Sequence, residues 1–299
     1  LIAPLIHARR ARRTDLPPIS FVLPIKDWAP GFRPSQESVF ALDYPEYDVT
    51  ATAAEAESEA VTAMREIIAA HPGHAAKLVR STASFAVSPK VNNLYQAIED
   101  AKYDLIATKD SNIELPPQTA RAAVAAMTED VGLVTAITEA KGARSLAARI
   151  EASLMNQSHA RILHAAAALG LGFGLGKLMI FKRSDLHRAG GFDAIAHTVG
   201  EDSATAHALA GIGLRTVIIG APIYQMLGAR RFSDVYNRQM RWAVIRRQNE
   251  LPGFLAEPLS LSIFAALAAA FAAPLAGWSG PAAFLAALVF WFVCETALA

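Results

Sequence analysis

For its first 250 residues the chain alternates short apolar runs with polar, helix-like stretches, and after Pro258 it turns almost wholly apolar. Residues 19–26 (ISFVLPIK), 47–52, 76–80, 103–108, 131–136, 177–181 and 215–219 have the length and aliphatic content of buried strands. Between them, 35–41 predicts a helix with Ser35 as its N-cap. Residues 53–70, rich in Ala and Glu, predict a second helix that ends at His71-Pro72-Gly73. Residues 88–94 (SPKVNNL) lead into a helix through Ala101, and 117–128 would carry Pro117 in the first turn, where its missing N–H is harmless. Residues 143–168, 183–188 before Gly190-Gly191, a segment opening at Glu201-Asp202, and the basic, aromatic 233–248 complete the helices. Strand and helix in strict alternation predict an α/β fold, a parallel sheet with helices on both faces.

The apolar end changes that picture. Residues 259–278 and 282–293 are separated only by Ser279-Gly280-Pro281, and runs of about 18–20 apolar residues suffice to cross a bilayer. They predict C-terminal transmembrane helices as a hairpin; a buried helical hairpin is the alternative, because alanine is a weak membrane former. Arg230, Arg231, Arg238, Arg241, Arg246 and Arg247 precede the hairpin and by the positive-inside rule place the globular part in the cytoplasm. At the other end LIAPLI is followed by HARRARR, as at the cytoplasmic flank of a membrane anchor. The chain starts at Leu1, which adds the expectation that part of the anchor lies upstream. The expected organisation is 1–13 anchor tail and basic flank, 14–250 cytoplasmic domain, and 251–299 membrane hairpin. The location implied is a membrane, multi-pass, and the inner membrane if the source is bacterial.

Composition adds exclusions. The hydrophobic share of 53% and the mean hydropathy of +0.27 are high for a soluble enzyme, and a net charge of +1 gives no bulk attraction for nucleic acid. A single cysteine, Cys294, excludes a disulfide framework and a cysteine-based zinc site.

The stretch 102–117 (KYDLIATKDSNIELPP) organises the candidate chemistry. Its apolar run stops at Lys109-Asp110-Ser111-Asn112, and a carboxylate at a strand's C-terminal end sits where open α/β sheets put their ligand crevice. Asp110 with the oxygen of Asn112 could hold Mg²⁺ or Mn²⁺ against a diphosphate, although Asp, Ser and Asn are also ordinary turn residues. Glu201-Asp202 opens a helix, and a carboxylate there could act as a general base on an acceptor hydroxyl. Arg238 and Arg241 share a helix face beside Trp242; they could clamp a leaving diphosphate or anchor at a membrane surface. Lys90, with Asn92 and Asn93, could touch a nucleotide or simply cap a helix. Glu55 and Glu57 follow the second strand and could approach a nucleotide or line a solvated helix. The Gly-rich 169–176 (LGLGFGLG) lacks the Gly-Lys-Ser or Gly-Lys-Thr of a Walker loop and the strand–helix setting of a dinucleotide fingerprint; it suits a close backbone approach to an acceptor or to the neighbouring sheet. None of the eight histidines pairs with an acid at zinc spacing.

Together ALDYPEYDV (41–49), SPKVNNL (88–94), AKYDLIATKDSNI (101–113), KLMIFKRSDLHRAGGF (177–192), GED (200–202) and RQMRW (238–242) resemble the ceramide glucosyltransferase family, membrane-bound inverting glycosyltransferases. The resemblance covers nearly the whole chain, in order and spacing. It implies a single Rossmann-like nucleotide-sugar-binding domain of the A-type, with a mixed, mostly parallel sheet. It makes Asp110 the second family acid, at the metal and diphosphate, and Asp202 the catalytic base. Arg238, Arg241 and Trp242 become the xxRW element, and Glu55 stands at or near the first acid, where the family has Asp. Donor contacts would then be Glu55, Lys90, Asn93, Asp110, Arg238 and Arg241, with Trp242 and Glu201 on the acceptor side. The implied reaction moves a hexose, glucose foremost, from a UDP-sugar to a hydroxyl of a membrane lipid, ceramide foremost. The alternatives are a hopanoid or diacylglycerol acceptor, or a catalytically weak membrane scaffold of the same fold.

Overall fold

The computed structural model describes residues 13–26, 28–249, 251–256 and 262–298. The apolar stub with most of the basic cluster after it, and the first residues of the apolar C-terminal run, lie outside these.

Eight strands form one sheet: β1 (Ile19–Ile25), β2 (Tyr47–Ala53), β3 (Ala75–Arg80), β4 (Leu105–Lys109), β5 (Ile113–Glu114), β6 (Val131–Ala143), β7 (Leu178–Lys182) and β8 (Arg215–Gly228), in the order β3-β2-β1-β4-β7-β6-β8-β5. Neighbours from β3 to β4 are parallel, as are β6 and β8. β7 runs antiparallel to β4 and β6, and β5 runs antiparallel to β8. The sheet is mixed and mostly parallel.

Alternation along the strands divides the core. Ile19, Phe21, Leu23 and Ile25 of β1 face α1 (Phe32–Phe40), α2 (Glu59–Ala70) and α4 (Thr119–Ala125), whose Phe32, Val39, Met64, Ile67 and Val124 fill that side. Val22 and Ile106 face the other way, toward α3 (Pro89–Glu99), α7 (Arg183–Arg188) and α8 (Glu201–Gly211), through Leu94, Ile98, Leu186 and Leu209. Covering on both faces is what a fully buried strand such as β4 requires.

Four expected boundaries move, each for a local reason. α1 begins at Phe32, and Ser35 is buried inside it with its N–H on the Gly31 carbonyl, so Ser35 is not the cap. Gly31 sits there at φ 76 because a Cβ would lie 2.5 Å from that of Met226. α2 starts at Glu59, not 53, because β2 runs through Ala53 and the Ser58 hydroxyl caps the Val61 N–H at 3.2 Å. α4 starts at Thr119, so both prolines precede it. The expected helix 143–168 is α5 (Leu146–Ser153), a π-helical turn at Leu154–His159, and α6 (Ala160–Ala168).

After β8 come α9 (Phe232–Asn249), α10 (Leu251–Ala256), α11 (Ser262–Ala272), a 3₁₀ turn at Ala273–Ala276, and α12 (Gly280–Leu298). α11 and α12 pack as a hairpin that is tight at its base, where a Cβ on Gly280 would lie 2.9 Å from the Ala270 carbonyl oxygen. Among the described residues no helix is long and apolar enough to cross a membrane. The hairpin nevertheless presents Phe271, Leu275, Trp278, Leu285, Val289 and Phe290 outward, with Leu275 89% exposed.

Candidate active site

The C-terminal ends of β1 to β4 lie on one edge of the sheet, and the candidate residues gather there. β4 ends at the buried Lys109, whose ammonium donates to the carbonyls of Ser35 at 2.8 Å, Ile113 at 2.7 Å and Asp110 at 3.3 Å. Gln36 donates to the Ser111 carbonyl at 2.7 Å, and the Asp110 N–H to that of Lys177 at 3.2 Å. These bonds hold the Asp110 turn against α1 and against the start of β7. Burial pushes the Lys109 ammonium down to about 7.

Lys90 stands in the first turn of α3, and three oxygens converge on its Nζ. They are Asp110 Oδ1 at 2.7 Å, the Gly176 carbonyl at 2.8 Å and Glu201 Oε1 at 3.0 Å. Burial opposes the Lys90 charge, but the two carboxylates raise it above the ordinary lysine range. Burial likewise works against ionisation of Asp110; Lys90, Lys177 and Lys109 outweigh it and hold the carboxyl below its ordinary value. Glu201 goes the other way, raised by burial and by the charge of Asp202 beyond what Lys90 restores.

Asp202, next in the first turn of α8, accepts from the Gly176 N–H at 2.9 Å and from the Ser203 N–H at 2.9 Å. A carboxylate at a helix start is favoured by the macrodipole. Gly176 is central. A Cβ there would lie 3.2 Å from Asp202 Oδ2 and 3.4 Å from both Glu201 Oε1 and Lys90 Nζ. Two further glycines of the strip are held as closely: a Cβ on Gly174 would lie 2.0 Å from the Asp202 carbonyl oxygen, and one on Gly172 2.0 Å from that of Thr216 in β8. The strip carries its backbone past β8 and onto the start of α8.

The arginine motif lies on α9. Arg238 is 3.3 Å and Arg230 2.9 Å from the carboxylate of Glu151, which is fully buried on α5. The Arg238 guanidinium lies 6.0 Å from the Trp242 ring centre, and Lys177 Nζ lies 5.5 Å from it on its way to Gln225 Oε1. Trp242 packs on Ala140, Ala148, Met155 and Leu227, with the His159 ring 6.1 Å away. Burial lowers the Lys177 ammonium to about 8 and the His159 imidazole to about 4. Arg241 is exposed.

Of the sequence candidates, Lys90, Asp110, Glu201 and Asp202 therefore meet around Gly176, and Arg238 and Trp242 are joined to them through Lys177. Asn93 is buried beneath the edge; its amide donates to the Ile25 carbonyl at 3.1 Å, and Thr52 donates to its carbonyls. Glu55 is exposed in the turn after β2, lining a cleft of about 440 Å³ with Arg65, Leu78 and Arg80. It lies on the same sheet edge as Asp110 but two strands away, roughly 10 Å at the usual strand spacing. Glu57 pairs with Arg65 at 2.9 Å. Lys109, Glu151, Lys177 and Gln225 were not among the sequence candidates. For Lys177 a signal existed, a lysine directly after the Gly-rich strip; Glu151 in an Ala-rich helix offered none.

Among the described residues no group of three or more His, Cys, Asp or Glu side chains is placed to hold a metal. The donor set around Lys90 is nevertheless of the right kind: two carboxylates and a carbonyl are hard oxygen ligands of the sort Mg²⁺ and Mn²⁺ take.

A family model described as Glycosyl transferase family 21 matches residues 2–299. Ceramide glucosyltransferase 1 of Caenorhabditis elegans is 28% identical over 296 residues, 98% of this chain and 64% of its own length. Ceramide glucosyltransferase 3 of the same organism is 25% identical over 256 residues, 85% of this chain and 56% of its own. The chain thus spans less than two thirds of either. Among solved structures, mannosyltransferase PcManGT from Pyrobaculum calidifontis, in complex with GDP-Man and Mn²⁺, superposes with a TM-score of 0.62 at 20% identity, over 99% of this chain and 88% of that one. GalNAc-T7 with UDP, GalNAc and Mn²⁺ gives 0.52 at 11% identity over 73% of this chain and 45% of that one. These likenesses show the A-type glycosyltransferase fold.

Proposed function

Since the chain belongs to glycosyl transferase family 21, we propose that it moves a hexose, glucose foremost, from a UDP-sugar to a hydroxyl of a membrane lipid, ceramide foremost, with inversion at the sugar. The observation that carries this is the Asp202 carboxylate, fixed by two backbone N–H groups beside Asp110 and Lys90. Two N–H bonds leave a carboxylate further lone pairs for a proton. Asp202 takes the proton of the acceptor hydroxyl, whose oxygen bonds to the anomeric carbon as the bond to the diphosphate breaks on the opposite face. UDP leaves with the electron pair. Lys90, Lys177 and Arg238 surround the site with fixed positive charge, and Arg241 stands exposed one helical turn further on α9. Asp110 would hold Mg²⁺ or Mn²⁺, which when bound stabilises the charge on the leaving diphosphate. Trp242 offers an apolar face on the acceptor side.

The lipid acceptor is supported by the names of the curated relatives and by the apolar surface of the α11–α12 hairpin, which we place in the bilayer. The arginines of α9 next to it favour a cytoplasmic catalytic domain.

The test is transfer by membranes carrying the chain, with UDP-glucose, UDP-galactose and UDP-N-acetylglucosamine against ceramide, hopanoid and diacylglycerol. Transfer to ceramide is expected, and Asp202→Asn is expected to abolish it with UDP binding kept. Near-normal turnover in that variant removes the base assignment. Absence of transfer from every donor to every acceptor removes the reading in favour of a scaffold.

A further inference from the structure

We propose that Lys90 is a resident counter-ion: on donor arrival it gives up Asp110 to a divalent cation and turns its ammonium to the donor's diphosphate. This rests on the glycosyl-transfer reading and deepens it.

An ammonium has three N–H donors and no more. In Lys90 all three are committed, to Asp110, Gly176 and Glu201 at 2.7, 2.8 and 3.0 Å. Lys90 therefore cannot contact a phosphate without releasing one of them, and a divalent cation approaching Asp110 Oδ1 is repelled by the ammonium 2.7 Å from that oxygen. The two events need each other.

The neighbours decide which contact yields. The Gly176 carbonyl belongs to a backbone pinned by its own N–H to Asp202, at a position where even a Cβ would press on Asp202, Glu201 and Lys90. Glu201 starts a helix and its side chain is 13% exposed, whereas that of Asp110 is 32% exposed. Asp110 is the partner open to an incoming ion. Lys90 can follow, because its stem is flexible and 22% exposed. Lys177, another cation nearby, already donates to Gln225.

Charge makes the exchange depend on the donor. A bare divalent ion would have to displace an ammonium already neutralising Asp110. An ion arriving with a diphosphate brings the anion that the displaced ammonium can bind. The free protein should accordingly bind the metal weakly and the metal–nucleotide pair well.

The experiment is Mn²⁺ titration of the full chain in detergent, followed by the electron paramagnetic resonance signal of the free ion, with and without UDP. Without UDP, Lys90→Met is expected to bind Mn²⁺ about tenfold more tightly than wild type, equivalent to about 1.4 kcal/mol. Lys90→Arg, which keeps the charge, should stay with wild type, and Asp110→Asn should bind none. UDP should tighten Mn²⁺ binding in wild type and much less in Lys90→Met. If Lys90→Met does not fold, Lys90→Gln is measured in its place. Equal Mn²⁺ affinity in wild type and the neutral variant without UDP overturns the exchange, as does failure of wild type to bind Mn²⁺ with UDP present. Wild type that transfers sugar while the neutral variant gains no Mn²⁺ affinity overturns the exchange alone. Wild type that shows the exchange but transfers no sugar overturns the transfer reading alone.

Discussion

Glu151 is the residue whose loss the structure prices most clearly. It is fully buried, and its carboxylate lies 2.9 Å from Arg230 and 3.3 Å from Arg238. Glu151→Gln keeps the shape and removes the charge, leaving two guanidiniums facing each other. At an effective dielectric of about 20 each contact is worth roughly 5 kcal/mol of Coulomb attraction, most of which offsets the desolvation of three charges. Removing one partner from a buried ion pair costs about 3–5 kcal/mol. The two arginines keep side-chain exposures of 13% and 18%, so they can recover some hydration, and the low end, about 3 kcal/mol, applies. For a chain of this size that lowers the melting temperature by roughly 6–12 °C. Thermal unfolding of the purified chain in detergent reads it, and Glu151→Asp should fall between. A drop of less than about 2 °C, equivalent to under about 1 kcal/mol, would refute the claim that this carboxylate holds the arginine motif in place.

Gly176→Ala should fold, since its backbone is outside the left-handed region. Its methyl group would press on Asp202, Glu201 and Lys90, and transfer should fall by about 100-fold, the order expected when a reacting group is displaced; an unchanged rate would break the link between this glycine and the reacting geometry. His159 has its imidazole lowered from 6.5 to about 4 by burial. As pH falls between those values the unfolded chain takes a proton that the native chain refuses, so stability is lost over that window; urea midpoints of His159→Gln should flatten there, and an unaltered slope counts against the assignment. Phe271→Asp with Leu275→Asp should reduce partitioning into phosphatidylcholine vesicles with the melting temperature unchanged; equal partitioning sinks the placing of the hairpin in the bilayer.

The sequence reading succeeded where local chemistry decides. β1, β2, β3 and β4 are apolar runs bounded by turn residues, and their lengths came within two residues of the observed ones. It stopped short at β6 and β8, read to 136 and 219 but reaching Ala143 and Gly228. Their distal halves carry Thr138, Glu139, Lys141 and Tyr224, polar residues that the β6–β8 ladder accommodates at partly or fully exposed positions, and Gln225, which is buried and accepts from Lys177. The antiparallel direction of β7 and the two-residue β5 depend on register with distant strands, which no local pattern encodes. Asp110, Lys90, Glu201 and Asp202 were legible because acids and a lysine at element ends are unusual in so apolar a chain. Glu151, Lys109 and Gln225 were not, because a polar residue's burial is settled by its partners, here 79, 74 and 48 residues away.

The order of the sheet has a bearing on how this protein folds. Strands β1 to β4 form a parallel block and β5 to β8 a mixed one, joined by the antiparallel ladder of β4 and β7 from Leu105↔Lys182 to Lys109↔Leu178. Lys90 and Asp110 belong to the first block; Gly176, Glu201 and Asp202 belong to the second. The charged cluster is thus a clasp across a seam, and it cannot exist until both blocks have docked. Such long-range closure is slow relative to local folding. Two fragments cut at the Ser111–Asn112 turn would each carry half a clasp, and recovery of sugar transfer on mixing them would time the closing of the seam itself.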